Sequence, residues 1–132
     1  MKASDVNFFE KVKAQLSQLQ NEISVLSKSK PDNPINKFKL GFINEKLVEA
    51  NTILTGEFAP FKDFTVFDVD DVPTNSDVVM ILSQYLDCLE AWRCANIHES
   101  SYSWYWNVPG DNLRTQAPSR YRQPETKKRI QS

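Results

Sequence analysis

Glycine, cysteine and histidine are scarce in this chain, which has three glycines, two cysteines and one histidine among 132 residues. With so few glycines, no phosphate-binding glycine motif occurs. One histidine and two cysteines six positions apart do not make the common multi-histidine or CxxC metal motifs. We therefore expect no metal ion and no other cofactor.

Long apolar runs are also missing, since none approaches the roughly 18–20 residues of a membrane-spanning helix. The first ten residues, MKASDVNFFE, include polar and charged side chains where a secretory signal has its apolar stretch. Cys88 and Cys94 face different sides of a predicted helix, so we expect reduced thiols that do not pair with each other. These features predict a soluble cytoplasmic protein with no membrane contact.

Charge is distributed unevenly along the chain. Residues 1–111 carry sixteen Asp/Glu against ten Lys/Arg, whereas residues 112–132 carry six Lys/Arg against a single glutamate. The sequence predicts one helical domain with a C-terminal β-hairpin over residues 1–117, followed by a basic, flexible tail over residues 118–132. Such a tail is either solvated or binds phosphates or an acidic partner surface.

Apolar side chains at helical spacing predict two helices joined by a short connection. The first covers residues 5–28, with one continuous apolar stripe: Phe8, Val12, Leu16, Leu19, Ile23, Leu26. The second is expected to start with Asn33 as its cap and Pro34 at its first position. Its apolar residues are Ile35, Phe38, Phe42, Ile43, Leu47, Ala50 and Leu54. The short connection predicts an antiparallel helical hairpin.

Four phenylalanines recur at every third position in the next segment: Phe58, Phe61, Phe64 and Phe67. This spacing fits a 3₁₀ or polyproline-like path better than an α-helix or a strand. We expect the segment to wrap the helices as a loop that packs its rings against them.

A third long helix is predicted by a capping box, in which Thr74 is the N-cap and Asp77 answers it three residues later. Apolar residues cover more than half of its girth: Val78, Val79, Ile81, Leu82, Tyr85, Leu86, Leu89, Trp92, Ala95. Either a homodimer interface, or the Phe-rich loop together with the C-terminal hairpin, would cover so wide an arc, and we expect the protein to form a homodimer.

After residue 100 the apolar period changes to two, which predicts a strand in SYSWYWNV and a return strand in NLRTQ. Tyr102, Trp104 and Trp106 are expected to face the core, and Tyr105 is the ring expected to be exposed. The predicted fold class is mainly α: a three-helix bundle, made of an antiparallel helical hairpin plus a third long helix, closed by the Phe-rich loop and a short C-terminal β-hairpin.

Basic residues follow the exposed ring, and the hairpin is expected to place Arg114, Arg120 and Arg122 beside Tyr105. Arginines next to an exposed ring suit single-stranded nucleic acid, through phosphate contacts and base stacking, but they equally suit an acidic protein. We expect a small, non-catalytic binding or adaptor module that uses the third helix and this aromatic–basic C-terminus as its contact surface.

An alternative function comes from RCANIH, in which Arg93 stands five residues before His98. This spacing resembles the Arg-x4-His signature of the HEPN superfamily, helical-bundle proteins that include metal-independent ribonucleases. The resemblance implies a dimer in which Arg93 steadies a phosphate and His98 helps the RNA 2′-hydroxyl attack. Cys94 stands where that family usually has Asn or Asp, and Glu99 and Ser100 stand in place of its Gly-Tyr. Without catalysis, His98 is read as a helix-terminal cation favoured by the helix dipole.

Overall fold

The computed structural model describes residues 1–119, and its main features are three α-helices and a small antiparallel sheet. The elements, in chain order, are α1 (Ala3–Ser29), α2 (Lys37–Ile53), α3 (Asn75–Ala95), β1 (Ile97–Ser100), β2 (Ser103–Trp106) and β3 (Arg114–Thr115). α1 packs against both α2 and α3. The mainly helical class is therefore confirmed, whereas the closed three-helix bundle stays a prediction.

The starts of α2 and α3 have side-chain caps, one of which differs from the predicted one. Thr74 and Asp77 form the expected capping box, with hydrogen bonds of 3.0 and 3.2 Å between each side chain and the other residue's backbone N–H. At α2, however, Asn36 is the cap, and its side chain accepts from two backbone N–H groups. The predicted start at Pro34 is wrong because residues 33–35 instead pair with the chain just before α3, for example through Pro34 and Thr74.

Two of the predicted apolar stripes are buried for the most part, but three of their phenylalanines are exposed. On α1, Phe9 is buried and stacks on Trp92 with ring centroids 5.0 Å apart, whereas Phe8 is 39% exposed. On α2, Phe38 and Phe42 are 74% and 46% exposed and contact each other edge to face. The rest of the predicted stripe is buried, and Ile43, Leu47 and Ala50 form the core face of α2 together with Leu40.

The Phe-rich loop packs against the core as predicted. All four of its rings are partly buried on the hydrophobic cluster, and short 3₁₀ helices lie at Gly56–Phe58 and Val69–Asp71. The Asn44 side chain both donates to the carbonyl of Phe67 and accepts from its N–H, each at 2.9 Å. Side-chain hydrogen bonds thus satisfy loop backbone that has no regular ladder.

The apolar arc of α3 is covered within the chain. Five of its side chains are buried: Val78, Ile81, Leu82, Tyr85 and Leu89. The Tyr85 ring lies against the rings of Phe61 and Phe64, and its hydroxyl donates to Asn51 at 2.7 Å. Of the two predicted covers, the Phe-rich loop and the C-terminal sheet both contact α3 within the chain, and the homodimer stays a prediction.

The C-terminal sheet has three strands in the order β1–β2–β3 rather than the two predicted. β1 and β2 are joined by Ser101 and Tyr102, whose φ angles of 50° and 66° define a type I′ turn. Tyr102 is consequently 98% exposed at the tip, so its predicted place in the core is wrong. Trp106 is buried and Trp104 packs partly buried on the core, as predicted.

Three further predictions concern compartment, cysteines and the tail. Within residues 1–119, no helix has both the length and the apolar character of a membrane span. Cys88 and Cys94 form no disulfide there. Just past the predicted boundary at 117, Pro118 is buried and the Ser119 N–H donates to Glu90, and the division into a domain and a tail stays a prediction. Residues 120–132, the rest of the predicted tail, lie outside the described residues.

Candidate binding surface on the C-terminal sheet

The two faces of the sheet carry different chemistry. His98 on β1, Tyr105 on β2 and Arg114 on β3 are paired across the strands, so their side chains share one face. The opposite face carries Trp104 and Trp106, which pack against the helices. His98, Tyr105 and Arg114 therefore lie on the solvent side, and we call them the outer row.

The outer row combines a ring with two basic groups. His98 and Arg114 are exposed, and Tyr105 between them is half-buried rather than exposed as predicted. The His98 and Tyr105 ring centroids lie 6.1 Å apart. Arg114 donates to Ser103 Oγ at 3.2 Å. Among residues 1–119, no carboxylate oxygen lies within 4.0 Å of Arg114, although this part of the chain is acidic.

His98 is oriented by Asn107. Its Nδ1 lies 2.6 Å from Asn107 Oδ1. Because an amide oxygen only accepts, this contact places the proton on Nδ1 and leaves Nε2 of the neutral ring as an acceptor. α3 ends at Ala95, so His98 lies on a strand and not at the helix end. The reading of His98 as a helix-terminal cation is therefore wrong.

Arg93 is buried, and all five N–H groups of its guanidinium donate hydrogen bonds to other residues of the protein. Nε and one terminal nitrogen donate to the two carboxylate oxygens of Glu90 at 2.8 and 2.7 Å. The other bonds go to Thr115 Oγ1 at 2.9 Å and to the carbonyls of Gln116 and Ala117 at 2.7 and 3.0 Å. A phosphate would have to replace these bonds. Catalysis by Arg93 and His98 stays a prediction. The observed contacts attach residues 115–117 to α3 through Arg93.

Glu90 is the carboxylate that pairs with Arg93 and holds its guanidinium in place. It also forms a salt bridge with Lys13 at 3.0 Å, and its side chain is only 15% exposed. Burial by itself would raise the pKa of Glu90, but hydrogen bonds and positive charge from Arg93 and Lys13 outweigh burial and lower the pKa to about 2. The ion pair of Glu90 and Arg93 has a sequence signal, because residues three apart in a helix are typical of helical ion pairs.

Of the residues predicted to form the site, the structure brings Tyr105 and Arg114 together as cross-strand neighbours. Arg120 and Arg122 lie outside the described residues. His98, predicted only for catalysis, joins the same row. Within residues 1–119, no group of three or more His, Cys, Asp or Glu side chains is arranged to hold a metal ion.

Comparisons of the chain with known protein families, curated proteins and solved structures found no match. The resemblance to the HEPN signature therefore rests on Arg93 and His98 alone. Any functional conclusion has to come from the chemistry of the surface itself.

Proposed function

We propose that this protein is a small, non-catalytic binding module that uses the outer row and the basic residues after it as its contact surface. The observation that carries the proposal is the alignment of His98, Tyr105 and Arg114 on the solvent side of the sheet, with no counter-ion for Arg114 among the described residues. A cytoplasmic setting suits two cysteines that form no disulfide within residues 1–119. The homodimer expected from the wide apolar arc of α3 is also part of this proposal.

Single-stranded nucleic acid is the partner that the outer row favours. A tyrosine ring on a sheet face stacks on a base, and a neighbouring arginine contacts the backbone phosphate. The basic side chains of residues 120–132 would add further phosphate contacts. An acidic protein surface would use the same cations but would gain little from the ring, so it is the second outcome of the test.

The test measures fluorescence anisotropy of a labelled single-stranded oligonucleotide with the full chain at 50 mM salt. Arg114→Gln removes a phosphate contact and Tyr105→Leu removes the stacking face. Tyr105→Leu is expected to weaken binding at least about 5-fold, since stacking is worth roughly 1–3 kcal/mol per base. Arg114→Gln is expected to weaken it about tenfold through the lost charged hydrogen bond. Lys62→Gln, at an exposed position of the Phe-rich loop, is the matched control and is expected to leave the affinity within about twofold.

The salt dependence tests the phosphate contact, and the choice of ligand separates the two partners. Removing one phosphate contact lowers the slope of log affinity against log salt by about 0.7 for a single strand. Binding to a glutamate-rich peptide with no binding to the oligonucleotide would assign the surface to an acidic protein. Failure of both ligands to bind at 50 mM salt would refute the proposed contact surface.

A further inference from the structure

The side of α2 that points away from the core carries exposed apolar side chains. With about 3.6 residues per turn, five residues share this side, and we call them the α2 face: Phe38, Gly41, Phe42, Glu45 and Val48. All five are exposed, and the rings of Phe38 and Phe42 contact each other with centroids 4.9 Å apart. Single exposed apolar side chains are common, but a group of them on one helix face is typical of an interaction surface.

Gly41 lies in the middle of the α2 face. Glycine destabilises the interior of a helix relative to alanine, so its presence needs a reason. Packing within the described chain does not supply one, because a Cβ atom at Gly41 would have no heavy atom within 4 Å. The close backbone approach that glycine permits is therefore available to a helix from another molecule.

The charges of α2 run against its own dipole. Lys37 and Lys39 lie in the first turn, where the dipole favours anions, and this turn has no acidic residue. Lys39 pairs with Glu22 at 3.3 Å, whereas Lys37 is exposed and has no ion pair among residues 1–119. In the second half of the helix, the Glu45 side chain is 62% exposed and lies 3.9 Å from the Lys46 ammonium. Lys37 and Glu45 are thus opposite charges, two turns apart, that both remain open to a partner.

A second copy of α2, packed antiparallel to the first, complements both the charges and the glycine. At a rise of about 1.5 Å per residue, a twofold axis between Gly41 and Phe42 brings Lys37 within about 2 Å, along the helix, of Glu45 in the second copy. The same axis sets each Gly41 opposite the Phe42 ring of the other copy. Twofold symmetry forms each of these contacts twice, and antiparallel helix dipoles attract each other.

We propose that the α2 face is the interface of a homodimer, formed by antiparallel packing of α2 against α2 of a second copy. The inference rests on the homodimer of the proposed function and gives it an interface. The apolar arc of α3 contacts the Phe-rich loop and the sheet within the chain, whereas the α2 face is exposed. Since one helix from each copy makes a small interface, the dimer should dissociate on dilution.

The experiment is sedimentation equilibrium of the full chain over a hundredfold range of concentration, in which the mean mass should rise from that of a monomer towards twice that value. Phe38→Glu should weaken association at least about tenfold, because it removes an apolar contact and faces Glu45 of the second copy. It should not destabilise the monomer, since an acidic residue in the first turn suits the helix dipole. Val25→Glu, at a 66% exposed position of α1, is the matched control and should leave association unchanged.

A charge exchange tests the antiparallel register. Lys37→Glu and Glu45→Lys should each weaken the dimer about 3- to 10-fold, and the double variant should restore it, because the exchanged charges again face each other. Gly41→Gln should raise the melting temperature of the monomer, since glutamine favours helix over glycine, and should weaken association by holding the two helices apart.

The outcomes separate this interface from the rest of the proposed function. A dimer that is unaffected by Phe38→Glu and by the charge exchange would overturn the α2 interface and leave the homodimer with another one. A monomer at every concentration would overturn both and assign the α2 face to a different partner. Each result leaves the nucleic-acid proposal standing, because that proposal is tested on the outer row.

Discussion

Two cationic regions built on arginine lie close together in this protein and behave in opposite ways. Around Arg93 the guanidinium is buried and all five of its donors are taken by Glu90 and by residues 115–117. Around Arg114 the guanidinium is exposed, and its recorded contact is one hydrogen bond to Ser103. The number of acceptors that the fold supplies, rather than a short sequence motif, decides which cation is available to a ligand.

The buried region also supports the exposed one. Arg93 holds Thr115, the residue directly after Arg114, and the carbonyls that follow it. Because β3 is only two residues long, its few ladder bonds would fix it poorly without this attachment. The guanidinium of Arg93 therefore helps to keep Arg114 in register with Tyr105.

The largest expected effect separates the two arginines by stability. Arg93→Ala removes five hydrogen bonds and leaves the largely buried Glu90 carboxylate with Lys13 as its salt-bridge partner, so the free energy of unfolding should fall by about 3 kcal/mol. Arg114→Ala should change it by no more than about 0.5 kcal/mol, as for an exposed side chain. Urea denaturation measures both values, with Arg93→Lys expected in between. Similar losses for the two alanine variants would contradict the comparison.

Local signals explain what the sequence predicted well. The α3 start depends on Thr74 and Asp77, which are three residues apart. The Phe-rich loop has a spacing that excludes regular elements, and burial of its rings follows from their size. Each of these features is decided by neighbours along the chain.

Long-range contacts explain what the sequence did not predict. The attachment of Arg93 to residues 115–117 joins parts of the chain more than twenty positions apart. Phe8 and Phe9 both fit a helical stripe, and only packing against Trp92 selects Phe9. The turn at Ser101 and Tyr102 lacks the Asn-Gly or Asp-Gly pair that usually marks a type I′ turn. Without such a pair, the sequence does not indicate a turn at this point and does not predict β1.

A pH experiment probes the buried region through Glu90. Its pKa is about 2 in the folded protein against an ordinary value of 4.5, so the folded state binds this proton less readily. The resulting stability is fully present above about pH 5 and is lost as the pH falls towards 2, by about 2–3 kcal/mol. We expect Glu90→Gln to flatten the fall in unfolding free energy between pH 5 and 2.5.

The control for the pH experiment is Glu57→Gln, an exposed carboxyl in the Phe-rich loop, which should keep the parent dependence on pH. If the Glu90 variant loses as much stability in acid as the parent does, the ion pairs of Glu90 with Arg93 and Lys13 do not carry the effect. The contribution of the buried region to the free energy of unfolding would then come from packing rather than from charge.

The smallest effect concerns the hairpin tip and asks how far the exposed region extends. Tyr102 has a φ of 66°, a left-handed conformation that costs a non-glycine residue about 1 kcal/mol. Tyr102→Gly should therefore raise the unfolding free energy by about 0.5–1 kcal/mol, whereas Tyr102→Ala, which keeps the strain, should leave it unchanged.

Both variants remove the same 98% exposed ring. If both weaken oligonucleotide binding to the same degree, the loss comes from the ring and not from stability, and the contact surface reaches from the outer row to the tip. Unchanged binding in both would confine the surface to His98, Tyr105, Arg114 and the basic residues that follow.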